Sequence, residues 1–292
     1  MKWPVDSAPM SPSELPFFNL HYLYGCRPPG DPTIVWGTEV DAERLQSYVL
    51  RRNELSDTVV SVVHVLLKAV GKCLVEYPEL NYRAIRRRLH RFKENHIRLV
   101  CYNRQMRDVD LVLLKDADQL TVPQIARQVW KNQRRIARGD SPEAQDRLRV
   151  KRLPRMLLAP ALKGYLWLDR NVRLPNLRIN RKTKGAVIVN YLGFPGAPSM
   201  RSYVPSRYPD ESSHLSITMG RIEPRAVVRD DEIVARAMAP LIIRADHRIA
   251  DAHLLAQFMR SLIDYLEDPA RLLDEQAPDS GQDHPIVRAR AA

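Results

Sequence analysis

Two polar side chains four residues apart, His247 and Asp251, stand where an apolar run of the sequence ends. The run 239–245 predicts a strand, and the pattern from 251 onward predicts an amphipathic helix. A side chain in the loop that follows a strand is well placed to face a cleft. Imidazole is the usual general base near neutral pH, so His247 could accept a proton from a thiol or a hydroxyl.

The same spacing also has a purely structural interpretation. Aspartate is a favoured N-cap, so Asp251 could simply begin the helix, with His247 as a surface loop residue. The pattern HxxxD arises often by chance and by itself favours this second interpretation. Another histidine, His64, lies within an apolar helical pattern at 56–80 that begins near Ser56 or Asp57, which favours a core histidine over a ligand.

The elements that must position these residues alternate between strand and helix. Strand patterns lie at 33–41, 96–105, 108–118, 185–193, 214–222 and 225–247, and the last contains a hairpin turn, RDDE. Helical patterns lie at 41–53, 56–80, 121–139 and 251–273. The order lacks strict βαβ regularity and its last third is hairpin-like, which predicts an α/β sandwich with a mixed sheet. The sequence has neither GxGxxG nor GxxxxGK[ST], so neither common nucleotide loop is predicted.

Charge and composition limit the classes of partner. The formal net charge of +12 favours a polyanion, which could be a nucleic acid, an anionic lipid surface or a phosphate-bearing cofactor. The basic cluster at 83–95 has three interpretations: a solvated face, steering of an anionic cofactor, and nucleic-acid binding, the last least favoured because aromatic residues are few. No apolar run reaches the length of a membrane span, and no apolar segment follows the N-terminus as in a secretory signal. Three separated cysteines without CxxC spacing indicate the cytoplasm and no metal site.

The chain divides into one large domain with two polar ends. Residues 1–15, rich in proline and serine, predict a flexible N-terminal arm, and 276–292 predict a disordered tail. A single domain at 16–275 includes a basic and apolar segment at 140–184. That segment is interpreted as a helical hairpin on the sandwich, or as the lining of a pocket for an apolar group or a peripheral membrane contact.

Five stretches together resemble the catalytic domain of the 2-oxo acid dehydrogenase dihydrolipoyl acyltransferases, the E2 components. DHRIADA at 246–252 resembles that family's DHRxxDG, and VIVNYLGFPG at 187–196 resembles its FTISNLGxxG. Further similar stretches, in the same order, are 66–81, 109–139 and 220–241. The order and the approximate spacing agree over about residues 33–273.

The resemblance implies the two-layer α/β sandwich of chloramphenicol acetyltransferase, with a mixed sheet and packed helices. It further implies a homotrimer with an active-site channel at each subunit interface, and coenzyme A or acyl-CoA as a substrate. His247 takes the place of the general base and Asp251 that of the motif's structural aspartate. Asn190 stands where the family has the serine that stabilises the oxyanion, and Ala252 stands where it has glycine. An asparagine amide can also donate a hydrogen bond to an oxyanion.

These points predict a stand-alone, coenzyme A-dependent acyltransferase with a thiol or hydroxyl acceptor, either a small molecule or carrier-bound. No lipoyl domain resembling those of E2 chains is recognisable, so no covalent lipoyl group is expected. The departures at Asn190 and Ala252 leave an alternative, a catalytically degenerate E2-like trimeric scaffold.

Overall fold

The computed structural model describes residues 7–15, 32–85, 88–103, 108–139, 187–194, 196, 198, 200–203 and 214–272, with most of the short stretch 154–164. The predicted tail and most of the segment at 140–184 lie outside the described residues. No helix in the described ranges is long and apolar enough to cross a membrane.

Among the described residues, ten strands and four longer α-helices follow one another, and seven of the strands and all four helices lie near the predicted positions. Part of 156–164 is helical as well. The strands are β1 (Ser7–Pro9), β2 (Thr33–Asp41), β3 (Tyr82–Ile85), β4 (Arg88–Phe92), β5 (Ile97–Asn103), β6 (Asp108–Leu114), β7 (Val187–Tyr191), β8 (Leu215–Met219), β9 (Glu223–Arg229) and β10 (Glu232–Asp246). The helices are α1 (Glu43–Glu54), α2 (Val62–Glu76), α3 (Val122–Ala137) and α4 (Ala252–Glu267).

The main sheet is mixed, as the sequence predicts. Its strands lie in the order β2-β10-β8-β7-β5-β6, and β9 pairs with the free part of β10. The pairs β5–β7 and β7–β8 are parallel, whereas β10 runs antiparallel to β2, β8 and β9. The predicted α/β class with a mixed sheet and packed helices is therefore confirmed.

The helices cover one face of this sheet. Alternate residues of the central strands turn toward the helices and are fully buried, among them Val189, Ile217 and Ile243. Helix α2 contacts α3 and α4 across the same core. The burial of that face leaves the intervening strand residues, including Asn190, on the opposite face of the sheet.

Helix α2 begins later than the sequence predicts, with Ser61 rather than Ser56 or Asp57 as its N-cap. Asn53 explains the difference, because its side chain accepts from Val60 N at 2.7 Å and donates to Val60 O at 2.9 Å. These bonds hold the preceding residues as a loop. His64 is buried, and its Nδ1 accepts from Ser61 N at 3.0 Å, so it closes the first turn as a core histidine.

A second, three-stranded sheet pairs β1 with β4 and β4 with β3. The basic cluster at 83–95 is therefore mainly a hairpin, with Arg83 and His90 buried and Arg88 and Arg91 exposed. Residues 7–15 differ from the flexible arm that the sequence predicts, because Ser7–Pro9 pairs with this hairpin and the chain continues into a 3-10 turn.

Candidate active site

His247 occupies the tight turn that joins β10 to α4. Its backbone N–H donates to Pro32 O at 2.8 Å, which ties the turn to the start of β2. Its ring Nδ1 lies 2.9 Å from Ala250 O, within the same turn. The side chain is half-buried, so it is held by the protein and still reaches the surface.

The contact with Ala250 determines which nitrogen of His247 carries the proton. A carbonyl oxygen can only accept, so Nδ1 must donate, and Nε2 of the neutral ring is then the basic nitrogen. A histidine oriented in this way by its Nδ1–H is prepared to act as a general base through Nε2.

The residues on either side of His247 form a buried ion pair that shapes the turn. Arg248 donates to Asp246 from Nε at 2.9 Å and from its terminal nitrogen at 2.5 Å. The backbone N–H of Arg248 also donates to Asp246 Oδ1, at 3.0 Å. His214, the residue directly before β8, donates from Nδ1 to Asp246 Oδ2 at 3.0 Å. Asp246 therefore accepts from two side chains and one backbone group.

The charges of this cluster are set by its contacts. Burial opposes the charge on Asp246, but hydrogen bonds from Arg248 and His214 outweigh burial and hold the pKa of this carboxyl well below its usual range. Burial lowers the pKa of His214, although its bond to Asp246 acts in the other direction. The cluster is thus a carboxylate and a guanidinium with a neutral histidine, and it keeps the turn rigid beside His247.

The small sheet supports the same turn from outside. Ile249 packs with Leu89 of β4 and with Leu15, all three being buried. No motif or periodicity indicated that His214, Leu89 or Leu15 supports the turn. Asp246 and Arg248 did have a signal, since opposite charges two residues apart flank the histidine in the DHR motif.

Asp251 acts as the N-cap of α4, and its Oδ1 accepts from Leu254 N at 2.8 Å. The structural interpretation of this aspartate therefore holds, and the same contact fixes where the turn after His247 ends. Ala252, which stands in the place of the motif's glycine, is the first residue of the helix and is exposed. Its methyl group thus meets no obstacle.

Asn190 lies in β7, directly opposite Thr218 of β8. Val189 before it faces the core, so the half-buried Asn190 side chain faces the other side of the sheet. A Cβ at Gly193 would lie 2.3 Å from the Tyr191 hydroxyl oxygen, so a larger residue there would displace the Tyr191 ring.

A single chain does not bring Asn190 and His247 together. Asn190 pairs with Thr218 of β8, and Thr218 pairs in turn with Ile242 of β10. His247 lies five residues beyond Ile242 and two strand spacings away, so the two residues are separated by about 20 Å. Of the three predicted site residues, only His247 and Asp251 lie in the same turn of the chain.

One group of metal-binding residue types occurs among the described residues, at Glu94, His96 and Asp116. Glu94 Oε2 lies 2.9 Å from Nε2 of His96, whereas Asp116 Oδ1 lies 3.7 Å from Nδ1 on the other side of the ring. The Asp116 N–H also donates to Nδ1, at 3.4 Å. The two carboxylates thus face different nitrogens, which suits hydrogen bonding better than shared coordination of an ion.

Comparison with known proteins agrees with this description. Residues 212–274 match the family model of the 2-oxoacid dehydrogenases acyltransferase catalytic domain. No curated protein sequence matches the chain. The probable dihydrolipoamide acetyltransferase of Listeria monocytogenes superposes with a TM-score of 0.61 at 20% identity, over 84% of this chain and 87% of that one.

Two further structures share the architecture. The dihydrolipoamide acetyltransferase of Azotobacter vinelandii, studied for the catalytic role of a serine, a histidine and an asparagine, has a TM-score of 0.58 at 18% identity and covers 87% of this chain and 88% of its own. A chloramphenicol acetyltransferase has a TM-score of 0.50 at 12% identity, over 85% of this chain and 93% of its own. The chain therefore has the fold of the E2 catalytic cores and of chloramphenicol acetyltransferase, and its residues 212–274 carry the sequence pattern of the acyltransferase family.

Proposed function

We propose that this protein transfers an acyl group between coenzyme A and a thiol or hydroxyl acceptor, with His247 as the general base. The observation that carries the proposal is the 2.9 Å contact from His247 Nδ1 to Ala250 O, which makes Nε2 the basic nitrogen. It occurs inside the segment that matches the acyltransferase family model.

The chemistry needs one proton acceptor and one oxyanion donor. His247 Nε2 removes the acceptor's proton as its oxygen or sulfur attacks the thioester carbonyl carbon of acyl-CoA. The tetrahedral oxyanion then collapses, the bond to the coenzyme A sulfur breaks, and the imidazolium returns the proton to the departing thiolate. A hydrogen-bond donor at the oxyanion stabilises the transition state.

Asn190 is the proposed oxyanion donor. In the Azotobacter acetyltransferase, the histidine and asparagine that were studied have the same four-residue spacing as His247 and Asp251. The serine studied with them has its counterpart in Asn190 by the motif similarity. The amide NH2 of Asn190 offers two donors where a serine hydroxyl offers one.

Because Asn190 and His247 are about 20 Å apart in one chain, the proposed site forms between two copies. His247 would come from one subunit and Asn190 from the next, which is consistent with a homotrimer. A cyclic trimer repeats the same contact three times and so completes three equal sites.

Coenzyme A carries several phosphate charges, and the protein is strongly basic. Arg88 and Arg91 are exposed on the small sheet, whose Leu89 packs on the turn that carries His247. This arrangement supports the cofactor-steering interpretation of the cluster at 83–95. Transfer should then become weaker as salt screens the attraction.

The test measures release of the coenzyme A thiol from acetyl-CoA, with dihydrolipoamide and a series of small alcohols as acceptors. We expect His247→Ala to lower the turnover by about 100-fold to 10,000-fold, the usual contribution of a general base. The matched control is His253→Ala, because His253 is an exposed histidine on the neighbouring helix. Equal turnover in His247→Ala and the wild type contradicts the proposal. A folded oligomer that binds no coenzyme A by calorimetry supports the scaffold alternative.

A further inference from the structure

The outward side of helix α3 carries a row of basic side chains. Four exposed cations follow one another at intervals of four, three and four residues: Arg127, Lys131, Arg134 and Arg138. These intervals place the four on one side of a helix, in a row about 16 Å long. Arg135, which is exposed as well, lies beside the row.

The sequence of the helix does not neutralise this row. The stretch 119–139 contains five basic residues and no aspartate or glutamate. In the part of the chain that the structure describes, no carboxylate forms an ion pair with Lys131 or Arg134. The opposite side of α3 is fixed in the core by Ile125 and Val129, so the cations must face outward.

Large apolar side chains lie next to the row. Trp130 is 40% exposed, and its indole N–H donates to Val59 O at 3.1 Å. Val59 is 55% exposed in the connection from α1 to α2, where Leu55 is 76% exposed. Arg127 Nε donates to Thr58 Oγ1 at 3.2 Å, which also holds this connection against the helix. The row and these exposed apolar side chains together are called the α3 surface.

We propose that the α3 surface binds a membrane surface that is rich in anionic lipids. The contact is peripheral, because the apolar side of α3 is buried in the core of its own domain and is not available to a bilayer. The inference goes beyond acyl transfer and does not depend on it.

Both components of the α3 surface suit an anionic bilayer. A cluster of four or more Lys and Arg on an amphipathic helix is attracted by the negative potential of such a membrane, and each cation strengthens binding by about fivefold. Tryptophan and exposed aliphatic side chains favour the boundary between headgroups and acyl chains. Trp130 and Val59 would lie at that boundary once the cations reach the headgroups.

A nucleic acid suits the α3 surface less well. Its phosphates could pair with the row, but Trp130 is the only aromatic residue of α3, so the helix offers no series of positions for stacked bases. The exposed side chains of Leu55 and Val59 have no complement on a phosphate backbone. The combination of charge and apolar exposure therefore favours lipid.

The attraction should be strongest at the C-terminal half of the row. Two exposed acidic residues, Glu54 and Asp57, belong to the connection that contacts the N-terminal half, and they weaken the positive potential there. Lys131 and Arg134 are farther along the helix and are therefore the better residues to replace.

The first test sediments the full chain with vesicles of phosphatidylcholine alone or of equal parts phosphatidylcholine and phosphatidylserine. We expect binding to the anionic vesicles, which salt should weaken, and little binding to the neutral ones. Lys131→Gln with Arg134→Gln should weaken binding to the anionic vesicles by about 25-fold, because each lost cation accounts for about fivefold. Glutamine is a good helix former, so an unchanged circular dichroism spectrum is expected.

The matched control is Arg44→Gln with Arg260→Gln. These arginines are exposed on α1 and α4, outside the α3 surface, and their replacement removes the same charge. The control should bind within about twofold of the wild type, because salt screens the more distant cations. An equal loss in the two double variants would show that net charge attracts the vesicles, and would overturn the proposal.

The second test examines the apolar contribution and the identity of the partner. Val59→Gln should weaken vesicle binding by about threefold to tenfold, because docking removes its side chain from water. Leu50→Gln is the control, since Leu50 is 65% exposed on α1, and it should bind like the wild type. A Val59→Gln variant that binds as tightly as the wild type contradicts the apolar contact.

Fluorescence anisotropy with a duplex DNA probe distinguishes the other partner. Wild-type protein that binds the DNA but does not sediment with the anionic vesicles identifies a nucleic acid as the ligand and overturns the proposal. Failure to bind either probe overturns it as well. Sedimentation with the anionic vesicles that is lost in Lys131→Gln with Arg134→Gln, and retained in the control, supports it.

Discussion

The two ends of strand β10 (Glu232–Asp246) contrast in nearly every physical respect. At the C-terminal end, Asp246 is 7% exposed and buried among polar partners, next to the half-buried His247. At the N-terminal end, Ile233 is apolar and 78% exposed. One strand thus carries a polar group inside the protein at one end and an apolar group outside at the other.

The difference shows what each end must do. The proposed general base, His247, has to be held in one orientation, and the buried carboxylate of Asp246 beside it fixes the backbone of its turn. The N-terminal end lies in the two-stranded ribbon, Glu223–Met238, that β9 forms with the first half of β10, and there the opposed side chains of Val228 and Ile233 stay exposed. One strand therefore joins a buried, hydrogen-bonded turn to an exposed ribbon, so substitutions at its two ends should differ in their effect on stability.

The largest effect is expected from Asp246→Asn. The change keeps the shape but leaves Arg248 as a buried cation without its carboxylate, which should lower the free energy of unfolding by about 3–5 kcal/mol. At the other end, Arg229→Gln removes an ion pair whose arginine side chain is 55% exposed, so the loss should be below about 1 kcal/mol. Urea unfolding measures the free energy of unfolding of both variants. Similar losses in the two would contradict the expected difference between the ends of β10.

Acidity should weaken the small sheet, whose Leu89 packs with Ile249 of the turn after β10, whereas the ribbon at the other end of β10 contains no histidine. Burial, with Arg83 and Arg88 nearby, lowers the pKa of His90 to about 4 from the ordinary 6.5. Between pH 6.5 and pH 4, His90 binds a proton in the unfolded chain but stays neutral in the folded protein. The resulting loss of stability begins near pH 6.5 and is complete near pH 4, and it amounts to about 2 kcal/mol at pH 5.

Urea unfolding at pH 7 and pH 5 measures this loss of stability. His90→Gln should remove the part of the loss that is due to His90. Burial lowers the pKa of His64 to about 4 as well, so His64→Gln should remove a similar share. Glutamine also suits the third position of a capping box, which keeps the contact with Ser61. The exposed control His253→Gln should leave the pH dependence unchanged, and a similar change in that control would refute the role of burial.

Local signals explain why much of the fold could be predicted. Periodic apolar residues predicted the helices and strands, and the helical pattern predicted from residue 121 begins where Thr121 caps α3, with its hydroxyl accepting from Gln124 N at 3.3 Å. The motif RDDE predicted the hairpin turn, and the preference of aspartate for helix N-termini predicted Asp251 as an N-cap. Each of these features depends on residues only a few positions apart.

The features that escaped prediction depend on distant pairings. His214 reaches Asp246 because β8 and β10 are neighbours, although 32 residues separate the two in sequence. Asn53 delays the start of α2 through a contact with Val60 that periodicity does not reveal. The apolar face of the ribbon has the alternation of an ordinary strand, and only the structure shows that this side is turned outward.

The smallest effect concerns the tip of the ribbon, where Asp230 and Asp231 have positive φ of 51° and 62°. Two-residue hairpin turns with both φ positive favour glycine at the second position. Asp231→Gly should therefore raise the free energy of unfolding by about 0.5–1 kcal/mol, measured by urea unfolding. Asp268→Gly is the control, since Asp268 ends α4 with a φ of −132° and needs no glycine. At Asp268 the glycine should lower the free energy of unfolding, because it adds flexibility to the unfolded chain and relieves no strain; an equal gain there would contradict the role of positive φ.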